Sequence, residues 1–257
     1  MRMRHLARPE KGRFVAPFLY LLLACCFGCA SASTSHETPR DILFVGNSFT
    51  YYNNSLHKHF RSLVAASGAA EARRGNVRIM TISGGQLPEH RDGLIKRLAD
   101  ESWDVVVLQG HSLGPISEAT AEPFRSAARE FATMIRQSGA EPVFFMTWAY
   151  IGKPEMTAPL DEAYSSIGRE LGAEVVPVGL AFARVTLERP DLALRIADAK
   201  HPTLAGTYLA ACTFYAALYR ESPEGLAYAA GLDDEVAAYL QTVAWETVRD
   251  YERRAQQ

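Results

Sequence analysis

Short apolar runs alternate with longer stretches of helical periodicity along most of this chain. Ile42–Val45 is β-branched and aromatic, follows Pro39, and reads as a buried strand. Ser55–Ser67 then carries Leu56, Phe60, Leu63 and Val64 on one helical face, with Asn53 or Asn54 available as a cap and Gly68 as a stop. The pattern repeats. Val77–Ile82, Val105–Leu108, Pro142–Thr147 and Glu174–Val178 have strand character, and helices are expected over Pro88–Leu98, Ala119–Gln137 and Ala158–Leu171. Helices from Ala181, Leu204 and Asp234 complete the chain. Such alternation implies a parallel sheet covered on both faces through right-handed crossovers. The expected fold is α/β, a three-layer α/β/α sandwich around about five parallel strands.

Open sheets of this kind bind ligands at the carboxyl ends of their strands, so the residues that follow each strand carry the functional reading. Gly46 and Asn47 tolerate tight backbone and set Ser48 just past the first strand. After the second come Ser83, Gly84, Gly85 and Gln86, where absent Cβ atoms let backbone approach a ligand. After the third lies the polar cluster Gln109-Gly110-His111-Ser112. Trp148 and Tyr150 follow the fourth; they either floor a pocket and stack on a sugar or belong to the core at the sheet's margin.

Near the end, Asp198-Ala199-Lys200-His201-Pro202 precedes the apolar helical stretch Leu204–Tyr219. Proline suits the start of a helix, which puts His201 on the loop entering it. Asp198 can accept from the imidazole, and His201 can then take the proton of Ser48. A serine hydroxyl is a poor nucleophile until a base does so. His57 and His59 form an H-x-H pair inside a helix, where residues two apart diverge, and are expected at the surface.

With 257 residues, 48% hydrophobic and 22% charged, the chain can bury a full core in one domain. Its net charge of -2 includes five basic residues and Glu10 before Phe14, leaving a body with 22 basic against 28 acidic groups. That balance gives no electrostatic reason to bind nucleic acid or an anionic membrane. The basic start, the apolar stretch Phe14–Ala24 and the small residues after it have the layout of an export signal. Leu22-Leu23-Ala24-Cys25 resembles a bacterial lipobox with Cys25 as the lipidated residue, Cys29 is a weaker candidate, and Ala30-Ser31-Ala32 is a competing cleavage site. The expected organisation is a signal segment at 1–32, a polar tether at 33–39 and one domain at 40–257. The expected location is the bacterial cell envelope, lipid-anchored or secreted. Only Cys212 lies in the body, so no internal disulfide framework is expected.

Taken together, Gly46-Asn47-Ser48-Phe49, Gly85 and Asp198-x-x-His201-Pro202 resemble, in order and placement, the conserved blocks of the SGNH hydrolases of the GDSL-like superfamily. Within it, the chain is most similar to an uncharacterised branch whose third strand ends in Leu-Gln-x-x-Ser. The resemblance spans Asp41 to about Tyr219. It implies a flavodoxin-like sandwich and ester hydrolysis through an acyl-serine intermediate without metal or other cofactor. The substrate would be a small-molecule or glycan ester, and acylated carbohydrate suits an envelope protein. Ser48, His201 and Asp198 would be catalytic, with the amides of Ser48 and Gly85 in the oxyanion hole and Trp148 and Tyr150 against substrate. The third block departs from the family's Gly-x-Asn-Asp: His111 takes the asparagine's place as oxyanion donor, with Gln109 as the alternative. That departure motivates a second reading, a non-catalytic glycan-binding envelope lipoprotein of the same fold. Neither a zinc-type H-E-x-x-H nor a phosphate-binding Gly-x-x-x-x-Gly-Lys loop is present.

Overall fold

A computed structural model describes residues 38–69 and 73–255. The chain divides into two units, Met1–His36 and Glu37–Gln257, and the described residues all belong to the second. The expected leader, Cys25 and most of the tether lie outside the described residues.

Five strands, β1 (Ile42–Gly46), β2 (Val77–Thr81), β3 (Val105–Leu108), β4 (Glu141–Phe145) and β5 (Glu174–Val176), form one parallel sheet in the order β2-β1-β3-β4-β5. The order reverses at β1, which lies between β2 and β3, so Ser48 follows the strand at the switch point. Side-chain alternation on the central strands feeds two cores. Ile42, Phe44, Val105, Val107, Val143 and Phe145 face α2 (Leu56–Ala66), α6 (Val178–Glu188), α7 (Leu204–Tyr219) and α8 (Asp234–Ala255). Leu43, Val45, Val106, Leu108 and Phe144 face α3 (Arg91–Asp100), α4 (Ala121–Gln137) and α5 (Thr157–Leu171). The result is a three-layer α/β/α sandwich.

Some boundaries differ from the sequence expectation: β4 runs Glu141–Phe145 rather than Pro142–Thr147, and α3 begins at Arg91 rather than Pro88. The last strand stops at Val176 and α6 begins at Val178, because Pro177 brings no N–H to extend the ladder. Asn53 and Asn54 do not cap α2; with Ser55 they form three consecutive left-handed residues, φ 50°, 66° and 77°.

From Ala205 to Tyr219 every side chain of α7 is buried, as expected for a helix apolar on all sides. Its amino end is held by Thr203, whose hydroxyl accepts from the Gly206 amide at 3.2 Å. The loop that carries His201 is thereby anchored to one of the most deeply buried elements of the fold.

Candidate active site

The carboxyl ends of β1 and β3 are tied together by one amide pair. Asn47 N–H donates to Gln109 Oε1 at 3.2 Å, and Gln109 Nε2 donates to Asn47 Oδ1 at 2.7 Å. Gly46 permits this approach, since a Cβ there would lie 2.5 Å from Gln109 Oε1. Asn47 Oδ1 also accepts from the Phe49 amide at 3.1 Å, capping the one-turn helix α1 (Ser48–Tyr51). Ser48 is thus the first residue of a capped turn and is 7% exposed.

Asp198 and His201 sit on a small hairpin. Ile196 N–H donates to His201 O at 2.9 Å, Thr203 N–H to Leu194 O at 2.9 Å, and Ala199 turns the chain at φ 70°. The segment after β4 fastens this hairpin: Trp148 Nε1 donates to Lys200 O at 2.9 Å, and Ile151 N–H to Ala199 O at 2.9 Å. From the other side Asn53 Nδ2 donates to Pro202 O at 2.9 Å and to Thr207 Oγ1 at 2.8 Å. The Asn53 carbonyl accepts in turn from His59 Nε2 at 2.6 Å, and His59 Nδ1 meets Tyr228 Oη at 2.8 Å.

These restraints bring three side chains into a line. His201 Nε2 lies 2.8 Å from Ser48 Oγ, and His201 Nδ1 lies 2.5 Å from Asp198 Oδ2. Partial burial pushes the Asp198 carboxyl up, but hydrogen bonds from the His201 ring and from the His201 and Lys200 amides outweigh it and hold the pKa at about 2. A carboxylate can only accept, so Nδ1 of His201 carries the proton and Nε2 is left as a base toward the serine hydroxyl. Tyr52 stacks on the imidazole, with ring centroids 4.4 Å apart and planes 7° apart, and holds its orientation.

A cavity of about 160 Å³ opens at Ser48, lined by Asn47, Ser83, Gly84, His111, Ser112 and Lys200 among others. His111 Nδ1 accepts from the Leu113 amide at 3.4 Å, which leaves Nε2 as the protonated nitrogen. Burial, assisted by the Lys200 charge and opposed by Glu89, lowers the His111 pKa, so the ring is a neutral donor at pH 7. Ser48 and Gly84 also line this cavity, and their amides have no internal partner among the described residues. A larger cavity, about 590 Å³, lies at the start of β5 beside α5 and α8 and includes none of Ser48, His201 and Asp198.

Several sequence expectations are corrected. Gly85 is not an available oxyanion donor: its N–H donates to Ile82 O at 3.0 Å in a turn, and its carbonyl accepts from Asn47 Nδ2 at 3.1 Å. Gly84, at φ 66° in that turn, takes the place facing the cavity. Gln109 is not a donor either, since Nε2 is shared between Asn47 Oδ1 and Gly110 O and the residue is fully buried. Trp148 is 0% exposed, stacked between Phe49 and Phe182, and cannot touch substrate. Tyr150 is half-buried and reaches the cavity wall only through Ser112, whose Oγ lies 2.5 Å from its hydroxyl. His59 is buried rather than at the surface, and His57 is half-buried with Nδ1 2.8 Å from Ser55 Oγ. Among the described residues no group of three or more His, Cys, Asp or Glu side chains is arranged to hold a metal ion.

No family model matches the chain, and no curated protein matches it. Solved structures do. A protein from Slackia heliotrinireducens described as a candidate SGNH hydrolase is 28% identical over 69% of this chain and 97% of its own, with a TM-score of 0.57. A DUF4886 family protein from Bacteroides uniformis is 20% identical over 81% and 94%, with a TM-score of 0.63. An acetyl xylan esterase is 14% identical over 66% and 95%, with a TM-score of 0.55. The fold is that of the SGNH hydrolases of the GDSL-like superfamily, and its neighbours are hydrolases of esterase and lipase type.

Proposed function

We propose that this protein is a serine ester hydrolase acting through an acyl-serine intermediate. The observation that carries the reading is the Ser48–His201–Asp198 line, with Nε2 of the histidine 2.8 Å from the serine hydroxyl. Ser48 Oγ attacks the ester carbonyl while His201 Nε2 takes its proton, and the same nitrogen returns that proton to the departing alkoxide. Asp198 orients the imidazole and stabilises the imidazolium. Water then enters by the reverse sequence and releases the acid. The amides of Ser48 and Gly84, with Nε2–H of His111, are the donors available to the developing oxyanion. Each such donor contributes about 10² to 10³ in rate.

The cavity at Ser48 is about 160 Å³, well below the ~300–1,000 Å³ typical of pockets for larger ligands, which favours short acyl groups such as acetyl. Hydroxyls of Ser83 and Ser112 on its wall suit a polyhydroxylated alcohol, in keeping with an acylated carbohydrate. The leader, with its Leu22-Leu23-Ala24-Cys25 run, supports an envelope location and a lipid anchor at Cys25. Hydrolysis of 4-nitrophenyl esters of graded chain length tests the reading. Turnover should fall steeply beyond butyrate and vanish in Ser48→Ala; equal turnover in that variant contradicts the assignment.

A further inference from the structure

The triad and oxyanion donors account for the chemistry at Ser48 but not for the charge beside it. Lys200 lines the same cavity, one residue before His201. It forms no ion pair among the described residues, and no Asp or Glu lines the cavity. Asp198, two residues earlier, is turned to His201 and to the amides of Lys200 and His201. Glu89, the acid whose charge also acts on His111, accepts from the Gln86 amide. Lys200, itself an exposed residue, is therefore the only lysine, arginine or carboxylate among the described residues that line this cavity. After burial, its charge also contributes to lowering the pKa of His111, which lines the same cavity.

The lysine backbone is also held. Trp148 donates to its carbonyl and its amide donates to Asp198, so the side chain leaves from a fixed point next to the catalytic base. The body around it is acidic, 22 basic against 28 acidic residues, so attraction for an anion at this mouth is local.

We infer that Lys200 selects esters whose alcohol part carries an anionic group, a carboxylate or a phosphate, close to the acyl oxygen. This rests on the esterase reading and adds its substrate class: a short-chain acyl ester of an acidic sugar or similar anionic polyol. Lys200 here is a binding residue that meets the alcohol portion and holds it while His201 protonates the leaving oxygen.

The test measures binding and turnover separately. Ligand-observed NMR titrations of the Ser48→Ala protein use three probes: 4-acetoxybenzoate, 4-acetoxyphenyl phosphate and the neutral 4-acetoxy-N-methylbenzamide. The expected result is that Lys200→Met in that background weakens at least one anionic probe about fivefold relative to the neutral one. Lys200→Glu should weaken it about tenfold or more, and Lys200→Arg should hold it within about twofold. Lys96→Met, on the exposed side of α3, serves as the net-charge control and should shift neither class. The anion with the larger Lys200-dependent gain names the natural group. In the Ser48 protein, the ratio of kcat/KM for anionic over neutral esters should fall in the same order. Anion-to-neutral affinity ratios unchanged by both Lys200→Met and Lys200→Glu overturn the inference, whatever the turnover; absent turnover with intact charge selectivity instead counts against the esterase reading.

Discussion

Asn53→Gly probes how the fold places His201, because glycine keeps the left-handed backbone at φ 50° and removes only the side-chain amide. That amide donates at 2.9 Å to the Pro202 carbonyl and at 2.8 Å to Thr207 Oγ1, the former one residue past His201. Two hydrogen bonds at a net ~0.5–1.5 kcal/mol each give about 2 kcal/mol. The glycine adds about 0.4–1 kcal/mol through the unfolded chain. For a domain of this size, about 2–4 °C per kcal/mol puts the fall in Tm at roughly 5–10 °C. Asn53→Ala should lose as much or more, since alanine keeps a Cβ in left-handed backbone but lacks the short polar side chain by which asparagine tolerates it. The hairpin keeps its ties to Trp148 and Ile151, so His201 shifts rather than swings away, and kcat should drop about tenfold. Thermal unfolding by circular dichroism and kcat on a saturating aryl acetate measure the two effects. A fall in Tm with kcat unchanged would show that Asn53 braces the fold without placing the base. No fall in Tm would refute the hydrogen-bond account itself.

Other consequences are independent of that residue. His111→Ala should lower kcat by about 10² to 10³ with a small change in KM, measured on the same ester. Burial, followed by the charges of Lys58, Arg61 and His59, lowers the His57 pKa to about 4. The neutral ring therefore contributes stability above its unfolded value near 6.5, lost as pH falls toward about 4. His57→Gln should flatten the fall in Tm across that window, with His90 and His111 supplying the remaining slope. Glu174 is the opposite case. Burial raises its pKa to about 7, so its stabilising protonated form is present at acid pH and lost as pH rises through 7. Glu174→Gln should raise Tm by a few degrees at pH 8 and leave it unchanged at pH 4.

The sheet was legible because its strands are short apolar runs and its helices strongly periodic, two patterns that local burial alone imposes. Ser48, Asp198 and His201 were legible for a different reason. Each lies where a strand ends or a helix begins, and a parallel sheet gathers those places at one edge. Side chains whose role depends on which neighbour meets them could not be read this way. Trp148 follows a strand as a pocket residue would, yet Phe49 and Phe182 cover both of its faces and leave only the indole N–H, aimed at Lys200 O. Gly84 and Gly85 are identical in sequence, and only the turn from Ile82 decides which amide is free. Asn53 suited a helix cap equally well; its true partner, Pro202, lies 149 positions away. The Asn-Asn pair at 53–54 did hold one usable signal, since asparagine tolerates left-handed backbone.

The central claim is that Ser48 is an activated nucleophile. Intact-protein and peptide mass spectrometry after reaction with a fluorophosphonate measures it directly. One adduct is predicted, on the peptide containing Ser48, absent in Ser48→Ala and at least a hundredfold slower to form in His201→Gln. A protein that stays unmodified, or carries the adduct on another residue, contradicts the account.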